Sequence, residues 1–188
     1  IGYQKEESLK DYDYFFRQLI KSKKHILSEK EEKLLAMGGE VYSQFQNIFS
    51  MIDNADIKLG EVEDGTGNTI ALTHGMYGVL LHGEDRELRR RAFEKYYEAY
   101  IGLTNTIAAT YYGNVKKDVF LSKARGYSSC LERALEGEDV DVAVYNNLIA
   151  AVHENLPAMH RYIALRKNVL GLEEQHMYDI YAPLVADA

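Results

Sequence analysis

Apolar positions recur at spacings of three and four along most of the chain, a period that predicts helices. Leu9, Tyr12, Phe16, Leu19 and Ile20 share one face of a helix over 7–25. Lys21, Lys23, Lys24 and His25 fill its last turn, where cations suit the helix dipole. Ser28 with Glu31 makes a capping box and predicts a helix start, carried on by Leu34, Leu35 and Ala36. Gly38 and Gly39 weaken that helix, and a short one follows through Tyr42, Phe45, Ile48 and Phe49. The period then changes. Residues 57–62 and 69–72 alternate around a Gly- and Asn-rich turn at 64–68, the pattern of a β-hairpin that needs a surface to pack on.

Helical spacing returns after Thr73, a cap for a short helix with Tyr77, Leu80 and Leu81 that ends at Gly83. Asp85 caps a much longer run, whose apolar positions from Leu88 to Val119 keep helical spacing almost to Arg125, where Gly126 stops it. That run is about 40 residues, or roughly 60 Å, with Gly102 and Gly113 as points of bending. Ser128 or Ser129 caps a short helix through Leu131 and Leu135 that closes at Gly137. Asp141 caps the last long helix, ended by Gly171, in which Pro157 is expected to make a kink. The tail 176–183 lacks helical period and reads as extended. The fold class is mainly α, with long helices and one small β-hairpin over about 57–72.

Composition narrows the function. The chain has 188 residues, 46% of them hydrophobic and 27% charged, enough to build a core. Lys+Arg is 22 against 29 Asp+Glu, a net charge of −7, which argues against nucleic acid as a partner. No apolar window is long enough for a membrane span, and no secretory leader pattern opens the chain. The single Cys130 excludes an internal disulfide and reads as a small core residue, so a reducing, cytoplasmic setting is expected.

Few residues suggest chemistry. His153, Glu154 and His160 suggest the zinc helix pattern His-Glu-x-x-His, but here the histidines stand seven residues apart. That is about 10.5 Å along a helix, too far for both rings to sit about 2.1 Å from one ion. They read as surface residues, as do His74 and His82. Arg86, Arg89, Arg90 and Arg91 alternate with Glu84, Glu87 and Glu94 and read as a solvated, salt-bridged face. Tyr96, Tyr97, Tyr100, Tyr111 and Tyr112 form a stripe whose inner edge is expected in the core. His176 and Asp179, beside Tyr178, read as a hydrogen-bonded loop pair. No complete catalytic set emerges.

Seven segments in series carry a resemblance. Asn47–Asp56 (NIFSMIDNAD), Leu72–Tyr77 (LTHGMY), Asp85–Phe93 (DRELRRRAF), Gly113–Asp118 (GNVKKD), Lys123–Tyr127 (KARGY), Val152–Leu156 (VHENL) and His176–Asp179 (HMYD) resemble the oligoendopeptidase F family of zinc metallopeptidases. The resemblance implies a mainly helical peptidase that cuts short peptides inside a deep channel. Zinc is held there by a His-Glu-x-x-His helix and a downstream Glu, and the motif Glu activates water. This chain has no His-Glu-x-x-His. The resemblance therefore implies zinc in the full-length parent, with the zinc helix beyond Ala188, and no catalytic or metal-binding residue among these 188. It divides the chain into an N-terminal helical part with the hairpin, 1–112, and the start of the peptidase domain, 113–188. The implied role is one wall of the substrate channel, inactive alone. Arg125, Tyr127, His176, Tyr178 and Asp179, at element ends, are the candidate substrate-binding residues.

The expected partners are short peptides and the catalytic half of the same chain. An apolar face turned toward that half would be left exposed and prone to self-association. Two competing readings are a non-enzymatic helical interaction module derived from the same scaffold, and a different helical enzyme with a metal on His153, Glu154 and His160.

Overall fold

The computed structural model of the chain describes residues 7–185. Among them the chain forms α1 (Asp13–Ser22), α2 (Glu29–Met37), α3 (Gly39–Met51), β1 (Glu61–Glu63), β2 (Thr69–Ala71), α4 (His74–Leu81), α5 (Arg86–Gly102), α6 (Thr104–Ala124), α7 (Cys130–Glu136) and α8 (Val142–Val169). The expected class, mainly helical with one antiparallel hairpin, is what the chain adopts. No described helix is long and apolar enough to cross a membrane.

Caps set most boundaries where the sequence placed them. Ser28 accepts from the Glu31 amide, and Glu31 Oε2 accepts from the Ser28 amide at 2.9 Å. Thr73 accepts from Met76, Asp85 from Leu88 and Ser129 from Glu132, each amide 3.0 Å away. Gly126 and Gly171 close α6 and α8 at φ +69 and +63, conformations a Cβ disfavours. After α7 the reversal falls on Asp139 (φ 53) rather than Gly137. Aspartate tolerates that region, and the Val140 amide then bonds back to the Leu135 carbonyl at 3.0 Å.

Several expectations need correction. The helix over 7–25 is α only at Asp13–Ser22, flanked by 3₁₀ turns at Glu7–Tyr12 and Lys23–His25. The 40-residue helix is two helices, broken at Leu103 (φ −107, ψ 11). Gly102 is a poor helix former there, and the Thr104 hydroxyl takes the Ile101 carbonyl at 2.7 Å, a bond that competes with the ladder. α3 ends in a π-type turn, Ile52–Asp56, closed by the Ile57 amide on the Ile52 carbonyl. The tail is not extended: Met177–Asp179 is a 3₁₀ turn, tied by Asp179 N to His176 O at 3.0 Å. Pro157 lies inside α8.

Two compact units divide the chain. One takes the residues up to Asn47 with Thr110–Ala151; the other takes Ile48–Ala109 and the residues from Val152 onward. In the second unit the hairpin pairs Val62 with Ile70, and Leu59, Val62, Leu72, Leu80 and Ala92 form the core beneath it. Tyr77, Tyr96 and Tyr100 pack against that core, whereas Tyr111 and Tyr112 are exposed, so the tyrosine stripe divides. At the hairpin tip Asp64 Oδ1 accepts from Thr66 N, Thr66 Oγ1 and Asn68 N, which holds its pKa well below the usual range.

Candidate functional site

The candidate substrate-binding residues fall into two polar clusters, one in each unit. In the first unit the 3₁₀ turn after α1 delivers His25, and the Gly126 reversal after α6 delivers Arg125 and Tyr127. The His25 ring stacks on Tyr127, with centroids 3.5 Å apart. Its Nδ1 lies 2.7 Å from the Arg125 carbonyl oxygen. A carbonyl only accepts, so Nδ1 carries the proton. Arg125 makes a two-pronged bond to Glu32 at 2.7 and 2.8 Å. That bond, helped by the Leu27 amide, lowers the Glu32 pKa and raises that of Arg125. Burial raises the Tyr127 phenol. Ser22, His25, Arg125, Tyr127 and Arg133 line an open cleft of about 370 Å³.

Behind this cleft stand two carboxylates of α7. Glu132 and Glu136 are four residues apart and share a helix face. Glu136 is 8% exposed, and its Oε2 lies 3.3 Å from His25 Nε2. Glu132 Oε2 accepts from the Ser128 amide and hydroxyl, bonds that lower its pKa. Lys24 Nζ stands 3.8 to 3.9 Å from both carboxylates. The sequence reading missed this group. Its available signal was the Glu132/Glu136 spacing; nothing local tied His25 to residues about 110 positions away.

In the second unit Asp179 is the centre. It is 0% exposed and accepts from Arg86 Nε and Nη2 at 3.0 and 2.9 Å, from Arg89 Nη2 at 3.2 Å and from the His176 amide at 3.0 Å. Burial raises its pKa, but the bonds from Arg86, the His176 amide and Arg89 outweigh it and hold the group below its ordinary value. Arg166 is buried too and donates to the carbonyls of Asp179 and Ala182 at 3.1 and 2.6 Å. Arg86 and Arg89 thus form no solvated salt-bridged face, because the tail supplies a buried anion. Arg90 does meet the expectation, bonded to Glu87 and Glu94. Tyr178 is buried under His176, rings 5.0 Å apart, while His176 itself is exposed. Asp179 has no surface left for a ligand.

His74 is not a bare surface residue. It joins Tyr96 Oη (2.8 Å) to the Asp53 carbonyl (2.9 Å), and Tyr100 donates to Asp53 Oδ1 at 2.6 Å. Burial and the Asp53 bond raise the Tyr100 phenol. His153 and His160 sit exposed on α8, and neither belongs to the metal-type group His25, Glu132 and Glu136, the one such group among the described residues.

Two family profiles match the chain: Oligopeptidase F over residues 2–58 and Peptidase family M3 over residues 79–187. Oligopeptidase PepF of Bacillus subtilis is 44% identical over 97% of this chain, which spans 27% of that protein. An oligoendopeptidase F homolog of Lactococcus lactis is 43% identical over 95% of this chain and 30% of its own. The crystal structure of oligoendopeptidase-F from Enterococcus faecium superposes with a TM-score of 0.91 at 37% identity, over all of this chain and 36% of that one. The chain thus spans about a third or less of the length of these relatives. By sequence and by fold, it belongs to the oligoendopeptidase F group of peptidase family M3.

Proposed function

We propose that these residues are part of a zinc-dependent oligoendopeptidase that hydrolyses internal bonds of short peptides, and that they form one wall of its substrate channel. The observation that carries the reading is the match to Peptidase family M3 over residues 79–187, in a chain spanning 27% of a PepF relative. An apolar stripe on α8 supports it: Leu148 (64% exposed), Val152, Leu156 and Met159 follow one helix face in water. Such a stripe suits a surface completed by further chain, and it is a place for self-association when uncovered.

Zinc is part of the proposal for the whole protein only. His153 and His160 are too far apart on α8 to share an ion, and no His-Glu-x-x-His occurs in the sequence. No step of peptide cleavage is assigned to this chain. The division near residue 112, into a helical part and the start of the peptidase domain, belongs to the same proposal, as does a cytoplasmic setting. Substrate contact falls to Arg125, Tyr127 and His176, with the buried Tyr178 beneath His176. The buried Asp179 serves as the positioning residue for His176 and Tyr178.

A quenched-fluorescence octapeptide tests the reading. The whole protein containing these residues should cleave it internally, lose activity to a chelator and regain it with zinc, while the 188-residue chain should be inert. Cleavage by the 188-residue chain alone, or none by the whole protein, refutes it. The latter result would favour the interaction module.

A further inference from the structure

We propose that His25, Glu132 and Glu136 form a divalent transition-metal site of the zinc type in the first unit. Because Nδ1 donates to the Arg125 carbonyl, Nε2 is the ring atom left for a ligand. It points toward Glu136 Oε2, 3.3 Å away, yet makes no hydrogen bond. Glu136 Oε1 is also buried without a partner. His25 is 6% exposed and Glu136 8%, so a ring nitrogen and a carboxylate, neither with a full set of partners, face each other out of water. Such an arrangement calls for a cation between them.

The distance fits a metal. Two ligands each about 2.1 Å from a tetrahedral ion stand about 3.4 Å apart, and the N···O separation here is 3.3 Å. One ligand atom from each of His25, Glu132 and Glu136 lies within 4.8 Å of the others, which leaves a fourth position open. The supporting shell is also in place. The imidazole that would bind donates its other N–H to a backbone carbonyl, and Ser128 holds Glu132. Glu132 is a third exposed and offers the way in. Lys24, itself more than half exposed, stands near both carboxylates and is the cation that an ion would displace. Imidazole with two carboxylates suits zinc or its neighbours better than calcium, which prefers oxygen alone. An ion here would clamp α7 to the turn that follows α1.

Calorimetric titration of the chelator-stripped 188-residue chain with ZnCl₂ tests this without any peptidase assay. One equivalent should bind. Glu136→Gln and Glu132→Gln should each raise Kd more than about tenfold. Lys24→Met should tighten binding, and the His153→Ala, His160→Ala double variant should leave it unchanged. Circular dichroism reports the fold; if Glu136→Gln loses helicity, the more exposed Glu132→Gln decides. No binding by a helical wild-type chain overturns the proposal, as does binding only in Lys24→Met, binding that survives Glu132→Gln, or binding lost with His153 and His160.

Discussion

Asparagine at position 179 would keep the shape of aspartate and remove its charge. The native carboxylate is fully buried and accepts four hydrogen bonds, two from Arg86, one from Arg89 and one from the His176 amide. In Asp179→Asn an NH₂ group would replace the oxygen that meets Arg86 Nη2 and the His176 amide, so donors would face donors. Arg86 has a side chain 38% exposed and turns to water at little cost. Arg89 cannot follow, because it is 3% exposed and pinned by the carbonyls of Tyr178, Gly83 and Glu84. It would stay buried and charged with only neutral partners. Breaking a buried ion pair costs about 3–5 kcal/mol, and the surviving carbonyl bonds place this case near 3 kcal/mol. For a chain of this size that lowers Tm by roughly 6–12 °C. Thermal melts and urea titrations of both proteins measure it. The sign with pH follows from the lowered pKa of Asp179. Its stabilisation is complete above the unfolded value, about 3.9, and is lost as pH falls through the lower folded value. Asp179→Asn should remove that acid-side loss. A variant within about 0.5 kcal/mol of wild type, an error-sized difference for this chain, would refute the account. So would an Arg86→Gln cost equal to that of Asp179→Asn, since it would place the energy on the exposed arginine.

Other outcomes follow from single contacts. A Cβ on Gly113 would collide with the Phe45 ring, so Gly113→Ala should destabilise by about 1–2 kcal/mol in urea titration despite the better helix former; a stabilised variant would show that the ring moves freely. Tyr100→Phe removes the bond to Asp53 and should cost about 1.5 kcal/mol, checked by the same titration. The pair Glu32 and Arg125, about a third exposed, stabilises above the ordinary glutamate pKa and lets go as pH falls through the lowered one. Glu32→Gln should therefore flatten the pH dependence of Tm below about pH 4, and added salt should shrink the difference from wild type.

Local chemistry was the legible part of the sequence. Ser28, Thr73, Asp85 and Ser129 cap where their side chains predict, because a cap needs only the next three residues. The break at Leu103 was harder to read, since the apolar spacing continues across it and the decisive bond, Thr104 to Ile101, is a choice between two local partners. Long-range partners were out of reach. The run Arg86–Arg91 gives no sign that two of its members seek a carboxylate 90 or more residues on, so the tail read as extended when three arginines fold it. His25 with Glu132 and Glu136 is the same case. Each is ordinary in its own helix or turn, and their chemistry arises from the contact.

The arginines around Asp179 also set an order of assembly. Arg89 is synthesised 90 residues before its anion. At about 5–20 residues per second, ribosomal elongation leaves it without that partner for roughly 5–20 s. During that wait its guanidinium must stay hydrated, so the start of α5 cannot reach its final burial until residues 176–182 arrive. That turn thereby docks after α5 has been made, and a nascent chain halted before residue 176 would hold an unquenched cationic pair on α5.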